Sequence, residues 1–460
     1  VPADAITIRL ASIHVEIDVT KIGSVVVSSV QVTYIQDNAP LSVTIAVTTE
    51  EIKDEETVTL ATLNSARSTY TVASSNLPLR VMYVRDSKVM HTFEFFLNSA
   101  YSAAELAKYV LYEVYDRLTI FGAEEVLIDV DQAIYDEFIK VFSAALYTNP
   151  KNENDKRGYF SLASFLNLVY EFKGEHQFRF TRISAEEFAS LTASTPVYQA
   201  ASRNFTNLTG TYIGIDIGGS DIKIVVLKDG QVIYGYKENW TPESFTAASQ
   251  HMEYFSKLIE QALAETKFTL KDIQALGISF NLVTVNNRPT GQGPVVAGLK
   301  GEEVEQIKVI ATTLETKLGL PVFILNDGKA GALWAAVRQN APATVALALG
   351  TGLAGGYADS ELRVRNYLTE MGNVVLSLEE GAFGHSYSQV PGAAQMYLSQ
   401  RLIFELAAKE GIDLSSITDK AAKLEYMQKL FNEGDPRAMR IFTQVAIYMA
   451  EYILYINTVL

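Results

Sequence analysis

Three short stretches combine residue types able to hold a polyphosphate and move a proton: DIGGSD at 216–221, ND at 326–327 and GTG at 350–352. In the first, apolar runs flank Gly218, Gly219 and Ser220, so two strands are joined by a tight turn. Its glycines accept positive φ and let a ligand approach the backbone. Backbone N–H groups facing into such a turn form an anion nest, to which the Ser220 hydroxyl adds a donor. Asp216 ends the strand beside that nest, where its carboxylate can take Mg²⁺, directly or through water. Lys223 can face a phosphate or solvent. A Gly-rich hairpin with no ligand has the same appearance.

The second Gly-rich stretch, ALGTGLAGG, repeats the arrangement about 130 residues later, with Thr351 between Gly350 and Gly352. Two such hairpins suggest two lobes gripping one polyphosphate. Between them, in LNDGKAGALWAA, Asn326 and Asp327 end a buried strand and begin a helix. An Asp held there, at the mouth of a cleft, can serve as a general base. As alternatives, Asn326 and Asp327 are simply helix caps.

The elements that must carry these residues follow from periodicity. Apolar alternation, as in Ile13, Val15, Ile17 and Val19 and again in Val43, Ile45 and Val47, predicts a β-rich region over residues 1–100. SAAELAKYVLYEVYDRL then predicts an amphipathic helix, with Ser102 as N-cap and Glu105 closing a capping box. With the strand EVLIDV, a helix over 132–146 and the strand FRFTRI, it makes a small α/β region over 101–205. Strands are expected at 212–217, 222–228 and 231–236, and a helix capped by Thr241 with Pro242 at its first position. A strand at 275–280, a long helix over 302–318 ended by Gly319, and the strand PVFILN complete a lobe spanning 206–340. A second lobe over 341–460 opens with TVALALGTGLAGGYAD, with helices from about Gly392 to Gly411 and at the C-terminus.

Composition narrows the function classes. A hydrophobic share of 48% with 20% charged residues describes a globular chain rather than a disordered one. The formal charge of −15, with no Lys/Arg-rich run, disfavours nucleic acid and anionic membrane surfaces, which need a positive face. No helix-turn-helix pattern stands in the first 200 residues. No apolar run is long enough to span a membrane, so a soluble, cytoplasmic protein is expected. Zero cysteines and five scattered histidines leave no Cys-ligated zinc and no close His pair.

DIGGS, LND and LGTGLAGG, in this order and spacing, resemble the ROK family of sugar kinases and sugar-responsive repressors, over roughly residues 210–460. That family belongs to the actin/hexokinase/Hsp70-like ATPases. The resemblance implies a ribonuclease H-like α/β ATPase fold of two lobes, preceded here by a β-rich α+β N-terminal region. It implies ATP and Mg²⁺ as cofactors, with a sugar and a nucleotide as small-molecule partners. By it, Asp216, Gly218, Gly219 and Ser220, with Lys223 nearby, form the first phosphate loop, and Gly350, Thr351 and Gly352 the second. Asp216 would hold Mg²⁺ through water. Asp327 would take the proton from a sugar hydroxyl as it attacks the γ-phosphate in line, and Asn326 would hydrogen-bond the sugar.

Departures from the family pattern are specific. Where the family carries Glu-x-Gly-His, this chain has Glu370, Met371, Gly372 and Asn373. Where it carries a Cys-rich zinc loop, this chain has SYSQVPGAAQ, so the cysteine positions hold Ser386, Ser388 and Ala393, and the final Glu is Gln395. With every zinc ligand replaced, no zinc is expected. Glu370, Asn373 and Gln395 can still hydrogen-bond hydroxyls, and Asn281, in ISFNLV, is a further candidate for the sugar site. His385 reads as an exposed loop histidine. The family continues past the helix ending in AEYILYINTVL into a strand and loop that cradle adenosine. The second lobe is therefore expected to be incomplete at its C-terminus, with the chain a fragment or that surface supplied by another chain. Residues 1–200 read as a dimerisation or partner-binding module or a spacer over the cleft, which is compatible with a homo-oligomer. The expected activity is ATP-dependent phosphorylation of a hexose or amino sugar; the alternative is a non-catalytic sugar or nucleotide sensor on the same fold.

Overall fold

The computed structural model describes residues 5–10, 13–18, 29–36, 39–46, 61–147, 162–171, 177–198, 209–219, 221–290, 293–350, 352–385 and 390–460. Strands β1 (Ala5–Leu10), β2 (Ile13–Asp18), β3 (Ser29–Gln36) and β4 (Ala39–Ala46) form an antiparallel meander. The alternations starting at Ile13 and Val43 fall in β2 and β4. Next come α1 (Leu63–Tyr70), β5 (Thr71–Val72), β6 (Pro78–Arg85), β7 (Lys88–Leu97), α2 (Ala103–Phe121), β8 (Glu125–Asp129), α3 (Gln132–Tyr147), α4 (Leu162–Val169), β9 (Arg179–Arg182) and α5 (Ala185–Ser194). Their sheet has the order β5-β7-β6-β8-β9. Because β6 pairs with β7 on one edge and β8 on the other, this sheet runs across residue 100, where a regional boundary was expected. The capping box of α2 is present: the Glu105 N–H donates to the Ser102 hydroxyl at 3.3 Å, and the Glu105 carboxylate accepts the Ser102 N–H at 2.9 Å.

The first lobe contains β10 (Thr211–Ile217), β11 (Asp221–Lys228), β12 (Gln231–Asn239), α6 (Ala248–Thr266), β13 (Ile273–Phe280), β14 (Thr284–Val285), β15 (Arg288–Pro289), α7 (Glu302–Lys308), α8 (Ile310–Leu318) and β16 (Val322–Asn326). Its sheet, β12-β11-β10-β13-β16, is an antiparallel meander continued by two parallel strands, the order of a ribonuclease H-like lobe. Ile213, Ile215 and Ile217 of β10 and Ile222, Ile224 and Val226 of β11 are buried in a core shared with α6 and α8. Period-two alternation therefore turns Asp216, Asp221 and Lys223 to the opposite face.

Two helix expectations in this lobe need correction. Pro242 opens only a single 3-10 turn, Thr241 makes no side-chain cap, and α6 starts at Ala248. The chain leaves the helix at Phe245 (φ −75°, ψ 132°), whose ring packs edge-on against both Trp240 and His251. The helix expected over 302–318 is broken at Val309 (φ −106°, ψ 16°), where a tight turn keeps both Ile307 and Ile310 in the core.

Helix α9 (Asp327–Gln339), expected to end the first lobe, packs instead on the sheet of the second, which contains β17 (Thr344–Leu349), β18 (Leu353–Ala358), α10 (Ala394–Tyr397), α11 (Gln400–Lys409), α12 (Lys420–Asn432) and α13 (Pro436–Val459). Its sheet order is β18-β17-β1-β2-β3-β4, and β1 runs parallel to β17, as β13 does to β10. The helix expected from about Gly392 to Gly411 is two pieces. Ser399, with extended backbone, caps the second through a 3.4 Å bond from the Arg401 N–H, and the Gln400 N–H donates to the Gly350 carbonyl at 3.0 Å. Among the described residues no helix is long and apolar enough to cross a membrane.

The N-terminal unit and the second lobe share one core, in which Leu106, Val110 and Val114 of α2 join Leu347, Met371 and Tyr452. Within it Glu113, fully buried, accepts from Arg67 at 2.9 Å, from Tyr109 at 2.6 Å and from Arg117. Burial alone would raise its proton affinity, but the charges of Arg117 and Arg67 outweigh it and leave that affinity below that of an ordinary Glu.

Helix α9 crosses β18 without side chains between them. A Cβ on Gly356 would fall on the Gly328 carbonyl, and one on Gly328 on the Gly355 carbonyl, whereas Gly331 faces open space. Gly356→Ala is therefore expected to destabilise the chain by about 1–3 kcal/mol or more, by overpacking. Gly331→Ala, in the same helix, is expected to stabilise it by up to about 1 kcal/mol. Urea denaturation of both variants checks the pair; equal effects would contradict the close crossing.

Candidate functional site

The register of the first sheet builds the site's first wall. Asp216 pairs with Lys223 on one side and Ser279 on the other. Its Oδ2 accepts from the Lys223 ammonium at 2.9 Å and its Oδ1 from the Ser279 hydroxyl at 2.8 Å. Lys223 also reaches Asp221 at 2.8 Å, and Lys237 reaches Asp221 at 3.0 Å. Lys223, read from sequence as facing a phosphate or solvent, thus stands on two carboxylates. The turn itself is closed by the Gly218 N–H donating to the Asp221 carbonyl at 2.9 Å, and the Trp240 indole donates to the Gly218 carbonyl at 2.9 Å. Ser220 lies outside the described residues. Asn281 lies beside the turn, its Nδ2 3.7 Å from where a Cβ on Gly219 would be, and its Oδ1 is buried without a hydrogen-bond partner among the described residues. A buried, orphaned acceptor beside this glycine turn is a feature that a hydroxyl or N–H donor would satisfy.

β16 delivers Asn326 and Asp327 to the start of α9. The Asn326 side-chain oxygen accepts from Gly328 N at 3.0 Å and Lys329 N at 3.4 Å, and its Nδ2 donates to the Leu282 carbonyl at 3.3 Å. Asn326, expected on the sugar, thus spends both ends of its amide on backbone as the N-cap. Asp327, the first helical residue, keeps one oxygen on its neighbour's Gly328 N–H at 2.9 Å. Burial raises its proton affinity above that of an ordinary Asp, and the charge of Asp216 adds to the rise, against the helix-end N–H groups that lower it.

Glu370, in the second lobe, lies within reach of this carboxyl's charge. Burial, then the negative charge of Asp327, push its pKa up to about 7, with Lys329 pulling the other way. Its segment hangs from the last turn of α2: Thr369 N donates to the Ile120 carbonyl at 2.8 Å and Glu370 N to the Thr119 carbonyl at 3.0 Å. Thr369 is held at φ 61°, a costly conformation for a β-branched residue and one that persists only when its surroundings enforce it. Asn373 closes the following turn, its N–H donating to the Glu370 carbonyl at 3.0 Å.

Lys329 was not picked out from the sequence. Its side chain is 2% exposed, and its ammonium donates to the carbonyls of Tyr367 at 2.5 Å and Thr284 at 3.3 Å. Burial, then the charge of Arg85, bring its pKa down to about 7. The available signal was spacing: Lys329, Ala332 and Ala336 lie on one buried helix face, an i, i+3, i+7 pattern in which a lysine is out of place.

At the second turn the Gly350 N–H donates to the Gly352 carbonyl at 2.9 Å, and Thr351 lies outside the described residues. Gln395, expected on the sugar, packs against both Gly352 and Gly372 and approaches His385 Nε2 at 2.6 Å. His385 is not the exposed loop residue its sequence context suggested. It is buried, and burial, with Arg401 nearby, lowers its pKa to about 4, so it is neutral at physiological pH. The side chain bonds to Gln395 where a solvent-facing histidine was expected, because the Gly384–Pro391 bridge folds the loop back on itself. Ser386 and Ser388 lie outside the described residues, and among those described no group of three or more His, Cys, Asp or Glu is placed to hold a metal.

The arrangement has a glycine turn in each lobe, a buried carboxyl at a helix start and a second buried carboxyl that feels its charge. The family model described as the ROK family matches residues 212–460. Among solved structures, a ROK hexokinase from Thermus thermophilus is 20% identical over 54% of this chain and 78% of that one, with a TM-score of 0.42. A ROK family transcriptional regulator, a homolog of the E. coli MLC protein, is 17% identical over 54% of this chain and 63% of that one, with a TM-score of 0.44. A ROK family glucokinase from Streptomyces griseus in complex with glucose and AMPPNP is 22% identical over 54% and 80%, with a TM-score of 0.39. No curated protein matches the chain in sequence.

The buried lysine sets a pH signature. Its folded pKa lies below the ordinary lysine value, so between about pH 7 and 10.5 the unfolded chain holds a proton that the folded chain lacks. Stability contributed by the neutral amine is present above the unfolded value and is lost as pH falls through the folded one. Relative to Lys329→Met, the wild type is expected to gain stability as pH rises from 7 to 10, by at most about 1.4 kcal/mol per unit. Thermal melts of both proteins at four pH values measure this, and a difference independent of pH would refute a buried, titrating Lys329.

Proposed function

The chain belongs to the ROK family, whose model matches more than half of it, and from that premise we propose that it transfers the γ-phosphoryl group of ATP to a sugar hydroxyl in the cleft between its two glycine turns. The observation that carries this reading is the convergence on Asp327. Asp216 raises its proton affinity, and Asp327 in turn raises that of Glu370, so carboxyls from three distant segments share one field. A carboxyl lifted from its usual range is better matched to taking a hydroxyl proton near neutral pH than an exposed aspartate.

The residues present fit a magnesium nucleotide in part. Asp216 is a half-exposed carboxylate, and Gly218, Gly219, Gly350 and Gly352 carry no side chain that would keep a ligand from the backbone. A bound magnesium nucleotide supplies the phosphoryl group and the positive charge that phosphoryl transfer requires. The chain's own residues do the rest. Asp216 would hold the magnesium ion through water, and the turns position the phosphates; Asp327 accepts the hydroxyl proton; Glu370 and Asn281 hydrogen-bond the sugar; Asn326 fixes the helix start from which Asp327 projects.

One observation favours a second reading, a sugar or nucleotide sensor without turnover. Both oxygens of Asp216 are already engaged, by Lys223 and Ser279, so a metal or its water competes with an ammonium for that carboxylate. The two readings separate in one experiment. Phosphate transfer from Mg-ATP to a panel of hexoses and amino sugars is expected, with Asp327→Asn lowering kcat at least 100-fold while sugar binding, measured by calorimetry, persists. Sugar binding without transfer in the wild type would support the sensor. Transfer unchanged by Asp327→Asn would remove the proposed base.

A further inference from the structure

Where the N-terminal unit meets the first lobe, away from the glycine turns, lies a cavity of about 120 Å³ that opens to solvent. At roughly 30 Å³ per water molecule it has room for about four waters, enough for a small oxyanion. Arg85 lines it and is 1% exposed. Its guanidinium donates to the carbonyls of Phe121 at 3.2 Å, Gly122 at 3.4 Å and Asn366 at 2.5 Å, and lies over the Tyr170 ring at 4.3 Å. All of these partners are neutral. The carboxylate paired with it, Asp86, stands 3.8 Å from Nε and is mostly exposed, and Nε has no hydrogen-bond partner among the described residues. A buried charge held by neutral dipoles without a hydrogen-bonded counter-ion is costly, and an anion at Nε would relieve that cost.

From the facing lobe Arg288 and Lys308 also line the cavity, and both converge on Glu171, at 3.6 and 3.4 Å. Three cations thus border the space: Arg288 and Lys308 share Glu171, Lys308 also holds the exposed Glu305 at 2.8 Å, and Arg85 has only a distant, exposed carboxylate. Guanidinium and ammonium groups in such a cluster suit the several acceptor oxygens of a phosphoryl group. We propose that this seam cavity binds inorganic phosphate or the phosphoryl end of a phosphomonoester, held by Arg85, Arg288 and Lys308, with Glu171 as the internal anion it displaces.

The seam shares a wall with the cleft. The hairpin of β14 and β15 lines the cavity with Val285 and Pro289. On its other side Thr284 accepts from Lys329 with its carbonyl and from Asn326 N with its hydroxyl, at 2.7 Å. At the hairpin's turn the Asn287 amide bonds Val322 and Ile324 of β16, the strand leading to Asp327. The site stands whether or not the cleft transfers phosphate.

The test is calorimetric titration of the full chain with inorganic phosphate and, separately, with glucose 6-phosphate, at constant ionic strength. Saturable binding is expected, weakened at least ten-fold by Arg288→Ala and by Lys308→Ala and tightened several-fold by Glu171→Gln. Thermal melts establish that the variants fold; Arg85→Lys, which keeps the charge but not the fork, is expected to bind more weakly while remaining folded. Stronger binding of the hexose phosphate assigns the ligand as a phosphomonoester, and stronger binding of inorganic phosphate assigns free phosphate. No saturable binding, binding indifferent to both seam substitutions, or binding competed away by Mg-AMPPNP while those substitutions are silent would overturn the site.

Discussion

The first turn of α9 rests directly on β18, the Gly328 backbone against Gly355 and Gly356 with no Cβ between them. Everything proposed for the cleft depends on that contact. It brings the helix start, capped by Asn326, and the carboxyl of Asp327 to the junction of the two sheets. Asn326 then caps the helix while β16 still belongs to the first sheet, so one residue joins the lobes. A side chain at either glycine would lift the helix and move Asp327 away from Asp216 and Glu370.

The second dependence runs through the N-terminal unit. Its long helix α2 is anchored by the buried Glu113 between two arginines, and Asp116 of the same helix accepts the Val375 N–H at 2.8 Å. The helix ends with carbonyls that hold Thr369 and Glu370. α13 closes the same core, with Tyr452 donating to the Met371 carbonyl at 2.9 Å. The segment carrying Glu370 is therefore suspended between elements from both ends of the chain, which explains how a threonine there tolerates a left-handed backbone. Residues 61–130 serve as scaffold to the site.

Local patterns were largely legible. The strands of the first lobe, the capping box at Ser102, the C-terminal helix and the hairpins around both glycine turns follow from period and turn chemistry. Helix boundaries governed by packing were not: the break at Val309 and the late start of α6 are decided by which side chains reach the core. The face of Asp216 was readable from alternation, but its neighbours were not. Lys223 and Ser279 flank it only because of strand register, a non-local property. His385 illustrates the same limit, since its burial depends on a loop closing on itself.

By itself the sequence determined the chemistry available: glycine turns, a carboxyl at a helix start, no cysteine, and the ROK-like order of these motifs. Periodicity and turn geometry are local, so they are written in neighbouring residues. Only the tertiary structure decided which carboxyls share a field, that Lys329 is buried beside them, that Asn326 and Gln395 are spent largely on internal contacts, and that Arg85 lines a seam. Those outcomes depend on burial and on distances between segments far apart in the chain, where desolvation and charge proximity set how each group behaves.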